Sequence, residues 1–187
     1  MKQERLGGIF MIRINHGKDE VYVFKNFLSD KECDKYFKKI RDIGHLPYSL
    51  PWPERVIDIT KDRIVKKVTK FINKNFNLKL TAEQAEIQNH HVNSSAELHI
   101  HNDLGREHII YNSLIYLNDN FDGGNFITKN GISIKPEKGM LTFFNGQKVY
   151  HGVKRVLKND RKTIIFTHVF HPSCPHVRNR LYLGPLV

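Results

Sequence analysis

Apolar residues recur along this chain at two spacings, and the spacing changes once. Up to about residue 77 they fall three and four apart. After Ser29-Asp30-Lys31-Glu32, whose serine and glutamate lie three apart as in a capping box, Cys33, Tyr36, Phe37 and Ile40 share one helical face. Ile64, Val65, Val68, Phe71 and Ile72 form a second stripe, with Thr60 as the expected N-cap. The lysine-rich opposite faces read as solvated surface. Before the first helix, Val21, Val23 and Phe24 predict an additional strand. From residue 84 the pattern shortens. Runs rich in Val, Ile, Phe and Tyr at 84–92, 97–101, 112–117, 125–128, 131–135, 139–144, 148–153 and 162–170 alternate with turn residues and predict strands. Asp122-Gly123-Gly124 and Asn130-Gly131 are hairpin signals, and Pro136 with Gly139 makes another turn. The segment 44–57 holds three prolines and the only tryptophan, and predicts an extended loop. The expected fold is mostly β with N-terminal helices, an α+β arrangement: a sandwich or small open barrel with the two helices laid on one sheet.

At 187 residues, 40% hydrophobic and 26% charged, the chain fits one globular domain and neither a disordered chain nor a coiled coil. We divide it into an N-terminal strand and helices over 1–80, a β core over 81–171 and a tail over 172–187. A net charge of +11 would attract nucleic acid, acidic peptides or small anions alike, and selects none of them. Two cysteines, Cys33 and Cys174, exclude a disulfide framework and favour a reducing compartment. The first residues lack a signal peptide's apolar core, and no stretch reaches the roughly 18 apolar residues of a membrane span. The expectation is a soluble, cytoplasmic protein.

Among the 11 histidines, spacing separates a site from abundance. On an extended strand residues two apart share a face, so His101 and Asp103 present an imidazole and a carboxylate side by side. His151, in the strand-like Val149–Val153 run, is the natural third ligand. Two histidines and one carboxylate occupy one face of an octahedral metal and leave three positions open, as in non-haem Fe(II) oxygenases. Zinc hydrolases use the same residue types. Iron is favoured by Arg161, ten residues after His151 and followed by the apolar Thr163-Ile164-Ile165-Phe166. A guanidinium deep in a barrel needs a carboxylate, which a dicarboxylate whose other end chelates iron supplies: 2-oxoglutarate. Lys162 is the competing cation but points to the opposite face. His99 shares parity with His101 and Asp103, yet a His99-His101-His151 set would lack the anion that helps hold Fe(II), so His99 ranks outside the ligand set. The tail His171-Pro172-Ser173-Cys174-Pro175-His176 offers three donors without a fourth and reads as structural.

Several stretches together resemble the Fe(II)/2-oxoglutarate-dependent dioxygenases of the prolyl 4-hydroxylase type. They are His101-Asn102-Asp103, Ser113–Asn118, Asp122-Gly123-Gly124-Asn125-Phe126, Ile134–Gly139 with Phe143-Phe144, His151-Gly152-Val153 and Arg161, over about residues 84–170. Phe27–Cys33 also looks like the family's approach to its first helix. The resemblance implies a double-stranded β-helix (jelly-roll, cupin-like) with Fe(II) on His101, Asp103 and His151. It further implies 2-oxoglutarate on Arg161 with the Tyr116 hydroxyl as a second donor, O2 as oxidant and ascorbate as a supporting reductant. Where many relatives carry a tyrosine before the first metal histidine, this chain has His91 and Val92. The implied reaction is hydroxylation of a C–H bond in a protein or peptide side chain, proline first, with Trp52, His91 and Arg106 as candidate substrate contacts. The other substrate classes are a free amino acid and an alkylated nucleic-acid base. The non-enzymatic alternative is a cupin-like module that binds metal or ligand without turnover.

Overall fold

The computed structural model describes residues 2–6, 8–41, 56–101 and 108–172. In chain order the elements are β1 (Lys2–Leu6), β2 (Ile9–His16), β3 (Asp19–Lys25), α1 (Asp30–Arg41), β4 (Val56–Asp58), α2 (Arg63–Phe76), β5 (Leu80–His90) and β6 (Ala96–His99). They continue with β7 (Tyr111–Tyr116), β8 (Asp122–Gly123), β9 (Phe126–Thr128), β10 (Ser133–Ile134), β11 (Leu141–Asn145), β12 (His151–Val153), β13 (Val156–Lys158) and β14 (Arg161–Phe170). An eight-stranded sheet in the order β1-β2-β3-β11-β7-β14-β5-β4 faces a four-stranded sheet in the order β10-β9-β12-β6, and β8 pairs with β13. All the pairings are antiparallel. The fold is a double-stranded β-helix.

Strand periodicity sorts the core into two layers. On the large sheet Phe24, Ile115, Leu141, Phe143, Ile164 and Phe166 face the helices. Their neighbours Val23, Leu114, Tyr116 and Phe144 face the small sheet, where they meet Phe126, Ile132 and Ile134. Burial on both faces explains why the central strands read as continuous apolar runs. The helices supply the outer layer through Cys33, Tyr36, Ile64, Val65, Val68 and Ile72.

The capping box forms: Ser29 N donates to Glu32 Oε2 at 3.0 Å, and Glu32 N donates back to Ser29 Oγ at 3.4 Å. The second cap differs from expectation. Asp62, not Thr60, caps α2 by accepting from Ile64 N at 3.1 Å, and it also accepts from the Tyr36 hydroxyl at 2.7 Å. Thr60 instead accepts from Ala85 N at 3.0 Å and ties the α2 approach to β5. Helical spacing also fails before residue 26, where β1, β2 and β3 form a meander. Ile12 and Ile14 of β2 pack on the inner layer while Ile9 and Met11 pack on the outer one, so β2 shows no clean alternation. Of the predicted 44–57 loop, Val56 and Ile57 instead open β4 opposite Gln88 and Ile87; the rest lies outside the described residues. Among the described residues no helix is long and apolar enough to cross a membrane.

His168 of β14 is wholly buried, with Nε2 2.8 Å from Ser113 Oγ and Phe143 and Phe166 around its ring. Burial holds the imidazole neutral and pushes its pKa down to about 3. The unfolded chain takes up this proton near pH 6.5, so the stability contributed is full above that pH and lost as pH falls toward 3. The urea midpoint should therefore drop between pH 7 and pH 5, and drop less in His168→Gln; parallel pH profiles for the two proteins would refute this.

Candidate active site

Between the two sheets lies a cavity of about 340 Å³, with β5, β7 and β14 on one wall and β6, β9 and β12 on the other. On the small sheet His151 of β12 stands opposite His99 of β6. His101 lies just beyond β6, its backbone N–H donating to Gly146 O at 2.8 Å. The ring centroids are 5.2 Å apart for His99 and His101, 4.4 Å for His99 and His151, and 5.1 Å for the stacked His101 and His151. One ring nitrogen of each falls within 4.8 Å of the others, close enough for a shared metal ion.

Backbone carbonyls set the tautomers of two of these rings. Nδ1 of His151 is 2.9 Å from Val149 O, and Nδ1 of His99 is 2.8 Å from Glu97 O. A carbonyl only accepts, so Nδ1 carries the hydrogen and Nε2 keeps its lone pair for a metal. Burial pushes the His151 pKa down to about 3, the neighbouring His99 and His101 lower it further, and the Val149 carbonyl acts in the opposite sense. His151 is thus neutral and available as a ligand at physiological pH. The imidazole donors fit a divalent first-row metal such as Fe(II). Asp103 lies outside the described residues.

On the opposite wall Arg161 opens β14, paired with His90 of β5. Its side chain is wholly buried, and among the described residues none of its three guanidinium nitrogens has a hydrogen-bond partner. The Tyr116 ring lies beside it, 5.1 Å from guanidinium carbon to centroid, and the Tyr116 hydroxyl is also buried without a hydrogen-bond partner among the described residues. Burial lowers the Arg161 pKa, with Tyr116 opposing. A buried guanidinium fork with a free hydroxyl next to it fits a carboxylate that arrives from outside. The donor set therefore suits the distal end of 2-oxoglutarate.

The surrounding turns hold Arg161 in register. Lys162 N donates to Asn118 Oδ1 at 2.9 Å, and Asn118 Nδ2 donates to Asp160 O at 2.9 Å. Lys162 points to the helix layer, its ammonium 3.9 Å from the centroid of Phe37. Gly124 supplies the room: a Cβ there would fall 2.9 Å from Arg161 Cδ and 2.9 Å from Phe121 Cε2, at φ +61°.

The structure thus brings His101, His151 and Arg161 to one cavity, sets Tyr116 behind it against Arg161, and adds His99 at the exposed rim. His91 also lines the cavity, tethered to Asp160 through Nδ1 at 3.1 Å. Trp52 and Arg106 lie outside the described residues, as do Cys174 and His176. Sequence reasoning missed the face of β5 formed by Gln84, Glu86 and Gln88, which lines the same cavity. The alternation Gln84-Ala85-Glu86-Ile87-Gln88 is the available signal, but such alternation ordinarily reads as one wet and one dry face.

Fold and site together define a double-stranded β-helix with a histidine cluster facing a buried arginine across its interior. Residues 86–170, which carry these groups, match the model of the 2OG-Fe(II) oxygenase superfamily. Mouse prolyl 3-hydroxylase 2 is 38% identical over 69 residues, covering 33% of this chain and 10% of the relative. The chain thus spans about a tenth of the length of the curated relatives it matches. The viral collagen prolyl hydroxylase of Paramecium Bursaria Chlorella virus-1, solved as a 2OG complex, superposes with a TM-score of 0.61 at 19% identity, over 81% of this chain and 96% of that one. A Trichoplax adhaerens prolyl hydroxylase in complex with a hypoxia inducible factor peptide gives a TM-score of 0.63 at 17% identity, over 80% of this chain and 83% of that one.

Gly124→Ala places a methyl group against Arg161 and holds a non-glycine residue at positive φ. The backbone cost alone is about 1–3 kcal/mol. Urea denaturation should show at least that loss, and an unchanged midpoint would mean that Gly124 and Arg161 do not meet as described.

Proposed function

We propose that the chain is an Fe(II)- and 2-oxoglutarate-dependent dioxygenase that hydroxylates an unactivated C–H bond in a protein or peptide side chain, proline first. The observation that carries this reading is Arg161, a wholly buried guanidinium with no anionic partner among the described residues, facing a cavity whose other wall holds the histidine cluster. When bound, Fe(II) and 2-oxoglutarate together supply dioxygen activation, coupling decarboxylation of the cosubstrate to succinate with insertion of one oxygen atom into the substrate.

The chain's own residues bind, orient and exclude water. His101, Asp103 and His151 hold the metal through one side chain each, and the Val149 carbonyl fixes the His151 ring with Nε2 presented. Arg161 takes the distal carboxylate of 2-oxoglutarate as a charge-assisted pair, with the Tyr116 hydroxyl as a second donor. Phe126 and Phe144, whose ring centroids lie 5.9 and 4.5 Å from that of His151, keep its inner side dry. Trp52, Arg106 and His91 are the proposed substrate contacts. The prolyl hydroxylase names of the similar proteins support proline in a peptide as the first substrate to try. With only two cysteines, 141 positions apart, the proposed location is the cytoplasm.

The experiment is succinate release with 2-oxoglutarate, Fe(II) and oxygen, alongside mass spectrometry for an added oxygen on proline-containing peptides. His101→Ala, Asp103→Ala and His151→Ala should each abolish succinate release and iron retention, while His99→Ala should leave much of both. Full activity in Asp103→Ala would sink the assignment of the carboxylate ligand.

By calorimetry, Arg161→Ala should lose a charge-assisted contact, about 1.5–3 kcal/mol of 2-oxoglutarate binding, and Tyr116→Phe about 1 kcal/mol. Lys162→Ala, on the other face of β14, should lose little. Equal losses at 161 and 162 would contradict the register.

A further inference from the structure

The cavity has a second charged wall. On β5 the side chains of Gln84, Glu86, Gln88 and His90 line it, while Ala85 and Ile87 between them pack under the helices. Glu86 is 8% exposed. Each of its carboxylate oxygens receives one neutral amide: Gln84 Nε2 donates to Oε1, and Gln88 Nε2 donates to Oε2 at 3.2 Å. A carboxylate has about four acceptor sites, so roughly half remain open. Among the described residues no lysine, arginine or histidine forms an ion pair with it. Arg161 does not serve, because it stands opposite His90 while Ile165 stands opposite Glu86. Four residues of strand separate these positions by about 13 Å.

A carboxylate this buried is costly unless a cation meets it, and neutral amides offset only part of that cost. Gln84 and Gln88 spend their amide hydrogens on Glu86, which fixes the carboxylate in place within the cavity wall. Ile165, across the strand pair and also lining the cavity, offers an apolar surface for the methylene stem of a long basic side chain. The two ends of the cavity therefore carry opposite fixed charges. The Arg161 end favours a dicarboxylate and repels a cation, and the Glu86 end does the reverse.

We infer that Glu86 is a specificity-determining substrate contact, receiving the ammonium or guanidinium of a basic side chain in a peptide substrate. This rests on the hydroxylase reading above and narrows it, from a proline-bearing peptide to one with a lysine or arginine at or beside the oxidised residue. Opposite charges at the two ends also sort the reactants. A basic peptide does not compete for the cosubstrate's seat, and 2-oxoglutarate does not settle at Glu86.

The test is calorimetry on the full chain loaded with 2-oxoglutarate and Ni(II), using proline-containing peptide pairs that differ only as lysine against norleucine or arginine against citrulline. Wild type should bind the cationic member about tenfold or more tightly. Glu86→Gln should bind both members alike, and Glu86→Asp should keep part of the preference. Thermal melting of each variant establishes that the comparison is between folded proteins. Equal binding of both members by wild type, or an undiminished preference in Glu86→Gln, would overturn the inference. So would Glu86-dependent binding of free lysine with none of either peptide, which would move the cation from a peptide to a free amino acid. Succinate release by wild type with Fe(II) is measured separately. Its absence beside an intact, Glu86-dependent preference would remove the proposed chemistry and leave the contact standing.

Discussion

A guanidinium carried into the protein interior with no anion among the described residues to meet it constrains everything placed around it. Arg161 is wholly buried, and a buried unpaired charge costs several kcal/mol even after relaxation. The neighbouring structure is arranged so that the side chain cannot escape that cost by rotating to solvent. Gly124 lies against its methylene stem, Tyr116 covers its plane, and Asn118 fixes the backbone on both sides of it. The two sheets frame a cavity in which an incoming carboxylate is the natural relief. The histidine cluster on the facing wall could hold a metal ion.

The β core was legible because its strands are short, rich in branched and aromatic residues, and separated by glycine turns whose positive φ the structure confirms at Gly123, Gly124, Gly131 and Gly139. The meander of β1 to β3 was not legible as a whole, because β2 buries part of both faces and leaves no alternation to read. The N-cap was misplaced by two residues for a related reason. Thr60 and Asp62 are both good caps by type, and the Tyr36 hydroxyl that favours Asp62 comes from another helix. Local preference does not know about such a partner.

The site shows the same division. His101, His151 and Arg161 could be placed because strand parity and a fixed interval of ten residues survive in the sequence. Arg161 was separable from Lys162 on parity alone, and the Lys162 contact with Phe37 accords with it. His99 was ranked below the ligand set for want of an anion, yet cross-strand pairing with His151 brings it to the same point. Glu86 escaped notice because an alternating strand ordinarily wets its polar face. Here that face lines a cavity whose other wall is β6, β9 and β12, a fact that β5 itself does not reveal.

Strand β14 has two faces with unrelated duties: Arg161, Ile165 and Thr167 line the cavity, while Ile164 and Phe166 fill the layer beneath the helices. The strand is preceded by a turn in which Asn159 holds φ at +56° and Asp160 accepts from Asn89, His91 and Val92. Adding or deleting one residue in that turn would exchange the two faces along the whole strand, turning Lys162 inward and Ile164 toward the cavity. The turn is therefore a ruler. Its residue types admit variation wherever the backbone geometry is kept, but its length does not. Among descendants of this chain, substitutions should accumulate there far more readily than insertions.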